Sequence, residues 1–403
     1  MKRFSLLFTT FAMLLAANAQ ESAIQHVDVA RGEAVVLDTV QPIAKITSKS
    51  GKYSLSLSGN INMKASYDFN GSIDHPDFIP SLISVPGGYD DQRRFYLDAT
   101  TSRVEVVGAA RTEKFGDVKL CLNMDMRGGD VGSYTPRVRM AYIAIMDFQL
   151  GRDYTTFCDV GSLSPNIDFQ GPNVGPFIYA TQIRYVKPLL EDKLVLGGAI
   201  EYQDYESSTL GDKYLYQESY MPDFIGYVQY DWSDSHLRLT GLYKSIPLYN
   251  VSSEQSLNLN AWGSQLSGSI GLCKHLKLYY SGTCGEGISN YIQDTYGAGL
   301  DATVNGASDI SMNFIYGWQA SAMVQLNAKT FVSSGYSVVN VEGDDSRFAA
   351  DDYRQGEYAF ANIFYSITPR VQLSAEYLWG SRTNNDRSRA SANRVYTMVQ
   401  YNF

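Results

Sequence analysis

The stretch Arg394-Val395-Tyr396-Thr397-Met398-Val399-Gln400-Tyr401-Asn402-Phe403 closes the chain and decides its fold. Successive side chains of a β-strand point to opposite faces. Here the odd positions are mostly apolar or aromatic, and the even positions are mostly polar. A strand of this kind, ending on an aromatic residue, is typical of the last strand of bacterial outer-membrane barrels, which the barrel-assembly machinery recognises. A soluble sheet protein can end in the same way, so the rest of the chain must decide.

The amino terminus has the three parts of a secretory signal. Lys2 and Arg3 form a positive start, residues 4–15 an apolar core, and Ala17-Asn18-Ala19 a small-residue cleavage site. The apolar core is too short to span a bilayer as a helix, and no later run of about 18 apolar residues exists. We therefore expect residues 1–19 to be a signal peptide and the mature chain to be exported.

Composition narrows the class of partner. Residues 20–403 carry 31 Lys and Arg against 42 Asp and Glu, which argues against nucleic acid as a partner. The chain has 30 Tyr. The Tyr side chain has an apolar ring and a polar hydroxyl, which suits the membrane–water interface, as in the aromatic girdles of membrane barrels. The four cysteines have no zinc-like spacing, and no metal or cofactor motif is present, so we expect isolated thiols and no cofactor.

Strand-like segments of about 10–14 residues recur along the chain, which suits tilted membrane strands. We predict sixteen, at 53–67, 92–111, 117–127, 136–146, 148–156, 179–188, 193–204, 222–231, 236–245, 259–272, 275–284, 314–325, 330–341, 356–367, 370–380 and 394–403. Short connections alternate with long ones throughout. The long connections are 68–91, 128–135, 157–178, 205–221, 246–258, 285–313, 342–355 and 381–393.

Short periplasmic turns that alternate with long outer loops are the pattern of a bacterial barrel. The predicted fold is therefore all-β, a 16-stranded antiparallel transmembrane β-barrel over residues 53–403, with short periplasmic turns and long extracellular loops. Residues 20–52 differ from the strands and are predicted to form a short periplasmic segment. The predicted location is the outer membrane of a Gram-negative bacterium, in contact with its lipid.

Alternation also predicts which side chains face the lumen, because a charge that faces lipid at the midplane costs about 2–4 kcal/mol. On the first strand Leu55, Leu57, Ile61 and Met63 oppose Ser54, Ser56, Ser58, Asn60, Asn62 and Lys64. Met140 and Val138 are predicted to face lipid, and a bulge is predicted near residues 100–102. The predicted lumen side chains include Arg94, Arg103, Arg137, Arg139, Arg184, Arg238, Arg370 and Arg394.

A basic wall concentrates anions within a Debye length of about 8 Å at physiological salt. The alternative is that these arginines pair with Asp98, Glu105, Asp125 or Glu376 and only brace the lumen. Alternation leaves both interpretations open.

In the third long connection, residues 157–178, the stretch 158–172 has two prolines and the apolar residues Leu163, Ile167 and Phe169. In the order of connections it corresponds to the third outer loop of general porins, which folds into the barrel and narrows the channel. Its approach, Gly151-Arg152-Asp153-Tyr154-Thr155-Thr156-Phe157, and its motif Asp168-Phe169-Gln170-Gly171-Pro172 resemble the DcaP-like porin family, as does the Ser102-Arg103 pair.

The resemblance implies a homotrimeric sixteen-stranded outer-membrane channel that favours small anions such as dicarboxylates. It also implies that Arg103 and the loop residues Asp159 and Asp168 shape the constriction. The function we expect is passive diffusion of small hydrophilic, anionic solutes.

Catalysis is not expected, because none of the four histidines lies at the outer rim beside a Ser or Asp that it could activate. His236 and His275 fall at predicted periplasmic turns. The alternative function is an outer-membrane adhesin or structural barrel that acts through its extracellular loops, such as 285–313. Conductance separates that alternative from a channel.

Overall fold

The computed structural model describes residues 41–71, 73–87, 93–202, 213–217, 220–305, 309–344 and 348–403. They form a closed sixteen-stranded antiparallel β-barrel, as the sequence predicts. The predicted signal peptide, residues 1–19, and residues 20–40 lie outside the described part. Among the described residues, no helix is both long and apolar enough to cross a membrane.

The strands follow one another as antiparallel neighbours. In chain order they are β1 Ala44–Thr47, β2 Tyr53–Asn70, β3 Arg94–Asp98, β4 Arg103–Thr112, β5 Gly116–Asp125, β6 Arg137–Ile145, β7 Phe148–Tyr154, β8 Tyr179–Leu189, β9 Leu194–Tyr202, β10 Tyr214–Tyr216, β11 Asp223–Trp232, β12 Ser235–Asn250, β13 Gln255–Cys273, β14 Leu276–Glu286, β15 Ala302–Asn305, β16 Asp309–Met312, β17 Phe314–Asn327, β18 Thr330–Glu342, β19 Tyr353–Ser366, β20 Val371–Asn384 and β21 Arg389–Asn402. Short 3-10 turns lie at Pro80–Leu82, Val160–Ser162, Ser289–Tyr291 and Gln293–Thr295.

Four of these strands, β1, β10, β15 and β16, are additional to the sixteen-stranded wall, and two others together form a single wall strand. β3 and β4 are halves of the second wall strand, and they part at residues 99–102, where a bulge is predicted. β1 pairs with the start of β2, and β10 pairs with the end of β12. β15 and β16 form a hairpin within the loop 287–313. Strand structure at residues 44–47 was not expected in the periplasmic segment.

The first and last wall strands close the barrel. β2 pairs with β21 from Asn60 opposite Asn402 onward, and with β3 and β4 on its other edge. At the seam the amide nitrogens of Gly59 and Phe403 each donate to the other residue's carbonyl oxygen, at 2.8 and 2.9 Å. A Cβ on Gly59 would lie 2.2 Å from the carbonyl oxygen of Arg103, so the seam needs glycine there.

Side chains alternate between the lipid face and the lumen as predicted, with one correction. On β2, Ile61 and Met63 are exposed, whereas Asn60, Asn62 and Lys64 are buried inside. The prediction that Met140 faces lipid is wrong, because Met140 is buried in a lumenal cluster of apolar side chains. The register between β5 and β6 shifts between Asn123, which is opposite Met140, and Met124, which is opposite Val138. Arg139 is the extra residue, and this irregularity moves Met140 to the inner face.

Two of the predicted long connections are short. β12 and β13 pair as far as Asn250 opposite Gln255, and β20 and β21 pair as far as Thr383 opposite Arg389. Both hairpins extend beyond the predicted strand ends. In β12 the added residues Ile246 and Leu248 are apolar at alternate positions and are buried in a cluster with Ala302, whereas the added parts of β20 and β21 are mostly polar. The four cysteines are free thiols.

Candidate functional site

Loop 3, residues 155–178, leaves the wall early because β7 is short. A membrane strand needs about 9–11 residues to cross the bilayer, and β7 has seven. The base of the loop is closed by Thr155, whose amide donates to the carbonyl oxygen of Ile178 at 3.0 Å. Glu201 on β9 accepts from the Thr155 hydroxyl at 2.6 Å and from the Thr156 amide at 2.5 Å. The chain therefore turns off the wall inside the barrel.

The first half of loop 3 contacts β12, β13 and β17. The carboxylate of Asp159 lies 2.8 Å from Nε2 of His236 and accepts from the hydroxyl of Ser267 at 2.7 Å. Further along, Gln319 donates its side-chain amide to the carbonyl oxygen of Ser162 at 2.8 Å. These partners project inward from wall strands, so this part of the loop lies against the inner wall.

The tip of loop 3 is held by two carboxylates. Glu376 on β20 accepts hydrogen bonds from the amides of Ile167 at 3.0 Å and Asp168 at 2.7 Å. The side chain of Asp168 points to the wall, where it accepts from the Phe78 amide and from the Tyr358 hydroxyl, both at 3.0 Å. Asp168 thus links loop 3 to loop 1, residues 71–93, and to β19.

Loop 6, residues 287–313, completes this set of contacts. Its Asp294 accepts from the Asn173 side chain of loop 3 at 2.9 Å and from the Ser81 amide of loop 1 at 2.9 Å. Asn173 also donates to the carbonyl oxygen of Gly356 on β19 at 3.1 Å. Three loops are therefore hydrogen-bonded to one another and to the wall.

The environment of Asp168 favours its neutral form. Burial, the carboxylate of Asp77 and that of Glu376 raise the pKa of Asp168 to about 7. Asp77 in loop 1 behaves differently: burial would raise its pKa, but the guanidinium of Arg127 lowers it below the usual range. Of two nearby buried acids, one is ionised beside an arginine and the other titrates near neutrality.

Four guanidinium groups surround the ring of Phe169, next to Asp168. Their central carbons lie 4.9 Å from the ring centre for Arg127, 5.5 Å for Arg137, 5.8 Å for Arg103 and 6.0 Å for Arg139. A cation above an aromatic face is attracted by the ring quadrupole. These four residues, which come from β4, β6 and the loop 126–136, are called the arginine cluster below.

Carboxylates balance part of this charge. Asp77 accepts from both terminal nitrogens of Arg127, at 2.7 and 2.8 Å. Asp125 accepts from Arg137 at 2.9 and 2.5 Å and lies 3.6 Å from Arg139. Bidentate pairs of this kind fix guanidinium orientation as well as charge.

A third carboxylate, Glu105, accepts from the side chain of Asn123 at 2.9 Å, beside the cluster. Asp98 also interacts electrostatically with Arg127 and pairs with Lys64 at 3.3 Å, so the four guanidinium groups and Lys64 face four carboxylates. The side chain of Arg137 is 28% exposed, so part of the cluster reaches the water inside the barrel.

A small cavity separates loop 3 from the wall beside this cluster. Its volume is about 10 Å³, close to the room one water molecule needs. Its lining is apolar on the loop side, from Ile167 and Phe169, and mostly polar on the wall side, where Met398 is the apolar exception among Asn60, Asn62, Thr101, Arg103 and Gln400.

Comparisons with known proteins agree with this geometry. The profile of the DcaP outer membrane protein family matches residues 33–403. The chain belongs to this family. No curated protein matches it significantly. The fold is similar to that of the outer membrane channel DcaP of Acinetobacter baumannii, with a TM-score of 0.78 and 19% identity over 90% of this chain and all of that one.

Two more distant structures share the barrel with this DcaP-family protein. An anion-selective porin from Comamonas acidovorans gives a TM-score of 0.59 at 13% identity, over 87% of this chain and all of that one. A trimer form of OmpT from Vibrio cholerae gives 0.53 at 13% identity, over 87% and 99%. The chain is therefore an outer-membrane channel protein of the DcaP family.

The other arginines predicted to face the lumen of this DcaP-family channel lie outside the arginine cluster. Arg184 and Arg238 donate to backbone carbonyls of Tyr154 and Thr156, where loop 3 begins. Of the remaining three, Arg394 pairs with Asp68 at 2.5 and 2.9 Å beneath loop 1. Arg94 lies on the other side of β2, also opposite Asp68 in register, and pairs with Asp74. Arg370 donates to the carbonyl oxygen of Gln41 at 3.2 Å.

Sequence reasoning missed three members of the site in this DcaP-family channel. Arg127 lies in a loop, where alternation carries no information. The sequence predicts Phe169 only as an apolar residue that holds the loop. It predicts His236 at a turn without a partner, whereas the ring of His236 lies between Asp159 and Ser269, 3.1 Å from the Ser269 hydroxyl. His236 lies near the start of a strand and Asp159 at the base of a long loop, and nothing in the sequence pattern predicts that the two are in contact.

Proposed function

We propose that this protein is a passive diffusion channel for small hydrophilic solutes that favours small anions such as dicarboxylates. The observation that carries the proposal is the arginine cluster around Phe169, where four guanidinium groups and Lys64 face four carboxylates. Positive charge beside a narrow aqueous path raises the local concentration of anions. The channel performs no chemistry and needs no cofactor, because passive flux requires only that solutes enter and leave.

The competing interpretation, that arginines only brace the lumen, applies to arginines outside the arginine cluster. Arg394 is buried between Asp68 and carbonyl oxygens of loop 1. Arg137 is the partly exposed member of the arginine cluster, although it pairs with Asp125. We assign the lumen-facing arginines of the cluster, with the loop residues Asp159 and Asp168 that position loop 3, to the solute constriction.

Two further parts of the proposal rest on relatives. The Comamonas acidovorans barrel is described as anion-selective, and one form of the Vibrio cholerae barrel as a trimer. We propose the same preference for this chain and a homotrimer as its assembly in outer-membrane lipid. The strand Arg389–Asn402, with the terminal Phe403, is the segment we propose the barrel-assembly machinery reads.

The test is the reversal potential of the purified protein in a planar bilayer under a potassium chloride gradient. We expect the sign of an anion-selective channel. Arg137→Gln should reduce the ratio of chloride to potassium permeability by about twofold or more, because it removes an exposed charge near the path. Cation selectivity in the wild type would refute the anion preference.

Arg370→Gln is the matched control for that substitution. It removes the same charge at the periplasmic end, where Arg370 contacts the carbonyl oxygens of Gln41 and Asn402. Selectivity should stay at the wild-type value in this variant. A folded barrel without conductance would instead support the adhesin or structural alternative.

A further inference from the structure

The ring of Phe169 has more cation neighbours than its packing role requires. It is 8% exposed and packs edge-on against Phe177, with ring centres 5.7 Å apart. A leucine would fill such a position equally well, yet the described structure places four guanidinium carbons within 6.0 Å of this ring.

We propose that Phe169 is a specificity-determining residue whose ring face takes the place of an anionic solute at the arginine cluster when the channel is empty. The inference rests on the proposed anion preference and adds the residue that sets its strength. The ring supplies a negative face without supplying a charge.

The ring is held in position from both sides of the loop. The backbone amides of Ile167 and Asp168, directly before it, donate to Glu376. The ring itself packs in an apolar cluster with Met140 and Phe177. Phe169 therefore meets the guanidinium groups in one fixed arrangement rather than as a mobile side chain.

A cation–π contact is weaker than a charge-assisted hydrogen bond between a guanidinium and a carboxylate. An arriving carboxylate therefore displaces the ring from the guanidinium groups, and the cation–π contact is regained when the solute leaves. The loss of that contact on binding weakens net binding relative to a cluster with no such partner. A channel needs weak binding because a solute that is held tightly blocks the flux.

Substitutions that separate the ring from its bulk test this role. Phe169→Tyr keeps the aromatic face, whereas Phe169→Leu removes it and retains an apolar side chain. We expect succinate to bind the Leu variant on the order of tenfold more tightly than the wild type, and the Tyr variant to match the wild type. Phe169→Met has the same expectation as Leu and replaces it if the Leu barrel does not fold.

The measurement is the concentration of succinate that halves the chloride current of the purified full-length protein in a planar bilayer. Gel mobility before and after heating confirms that each variant is a folded barrel. A half-blocking concentration that is equal in the wild type, Tyr and Leu variants, or higher in the Leu variant, would overturn the role of the ring. The wild-type reversal potential tests the anion preference separately, so the two failures are distinguishable.

Discussion

Asp168 makes the attachment of loop 3 sensitive to pH. Its carboxyl is fully buried, and its pKa of about 7 compares with 3.8 for the free group. That difference corresponds to about 4 kcal/mol against ionisation in the attached state. Because the pKa is raised on attachment, the stabilisation is complete below pH 3.8 and is lost as the pH rises through about 7.

The usable window lies between pH 5.5 and 8.5. Over that interval the ionisation of Asp168 weakens the attachment by about 2 kcal/mol, or about thirtyfold in the equilibrium between attached and released loop. The groups facing Asp168 are Asp77 of loop 1, Tyr358 of β19, Glu376 of β20 and Tyr396 of β21. Lys64 of β2 acts in the opposite direction and favours the ionised form.

The assay is single-channel recording at pH 5.5 and 8.5, with the rate of current fluctuations as the measure of loop release. We expect more frequent fluctuations at pH 8.5. Asp168→Asn should remove the difference, because the amide stays neutral and can still accept from the Phe78 amide. Glu376→Gln removes a neighbouring carboxylate, but it also alters the site that holds the loop backbone, so it is the less specific variant.

Asp386→Asn serves as the control, because Asp386 is an exposed carboxyl in the turn between β20 and β21. It should retain the wild-type dependence on pH. Equal fluctuation rates at the two pH values in the wild type would refute the role of Asp168. So would a pH dependence that persists unchanged in Asp168→Asn.

Two further predictions concern the stability of the barrel. Gly59→Ala should impair closure between β2 and β21, since its Cβ would meet the Arg103 carbonyl oxygen at 2.2 Å; loss of heat-modifiable mobility on a gel measures this, and a normally folded variant would contradict it. Arg394→Met should lower the free energy of unfolding by about 3–5 kcal/mol because it leaves Asp68 buried and unpaired. Denaturant unfolding checks the second prediction, and adding Asp68→Asn should restore part of the loss.

Most of the wall could be predicted because a membrane barrel repeats one physical requirement sixteen times. Every strand needs an apolar face toward lipid, so alternation marks both its length and its orientation. The prediction failed where that requirement is absent. Pairing of β12 and β13 continues as far as Asn250 and Gln255, where Ile246 and Leu248 are buried in a cluster with Ala302 of loop 6 and do not face lipid. An irregularity at Arg139 reverses the face of Met140.

The site was less predictable than the wall for a related reason. Alternation assigns Arg103, Arg137 and Arg139 to the lumen, but it does not say that they meet around one ring. That meeting depends on how far loop 3 enters the barrel, which follows from the seven-residue length of β7 and from its hydrogen bonds to distant strands. Arg127 belongs to the cluster but lies in a loop, where hydrophobic periodicity does not predict which way a side chain points.

The acids bear on the two alternatives, a braced lumen and an anion path, because different acids have different partners. Glu376 accepts from backbone amides of loop 3, and Asp168 accepts from an amide and a hydroxyl, so both hold the loop without forming an ion pair with the arginine cluster. Asp68 instead forms an ion pair with Arg394. Bracing thus uses carboxylates other than those that pair with the arginine cluster, and loop 3 also places Phe169 against the guanidinium groups. We propose that support for loop 3 and attraction of anions are parts of one arrangement.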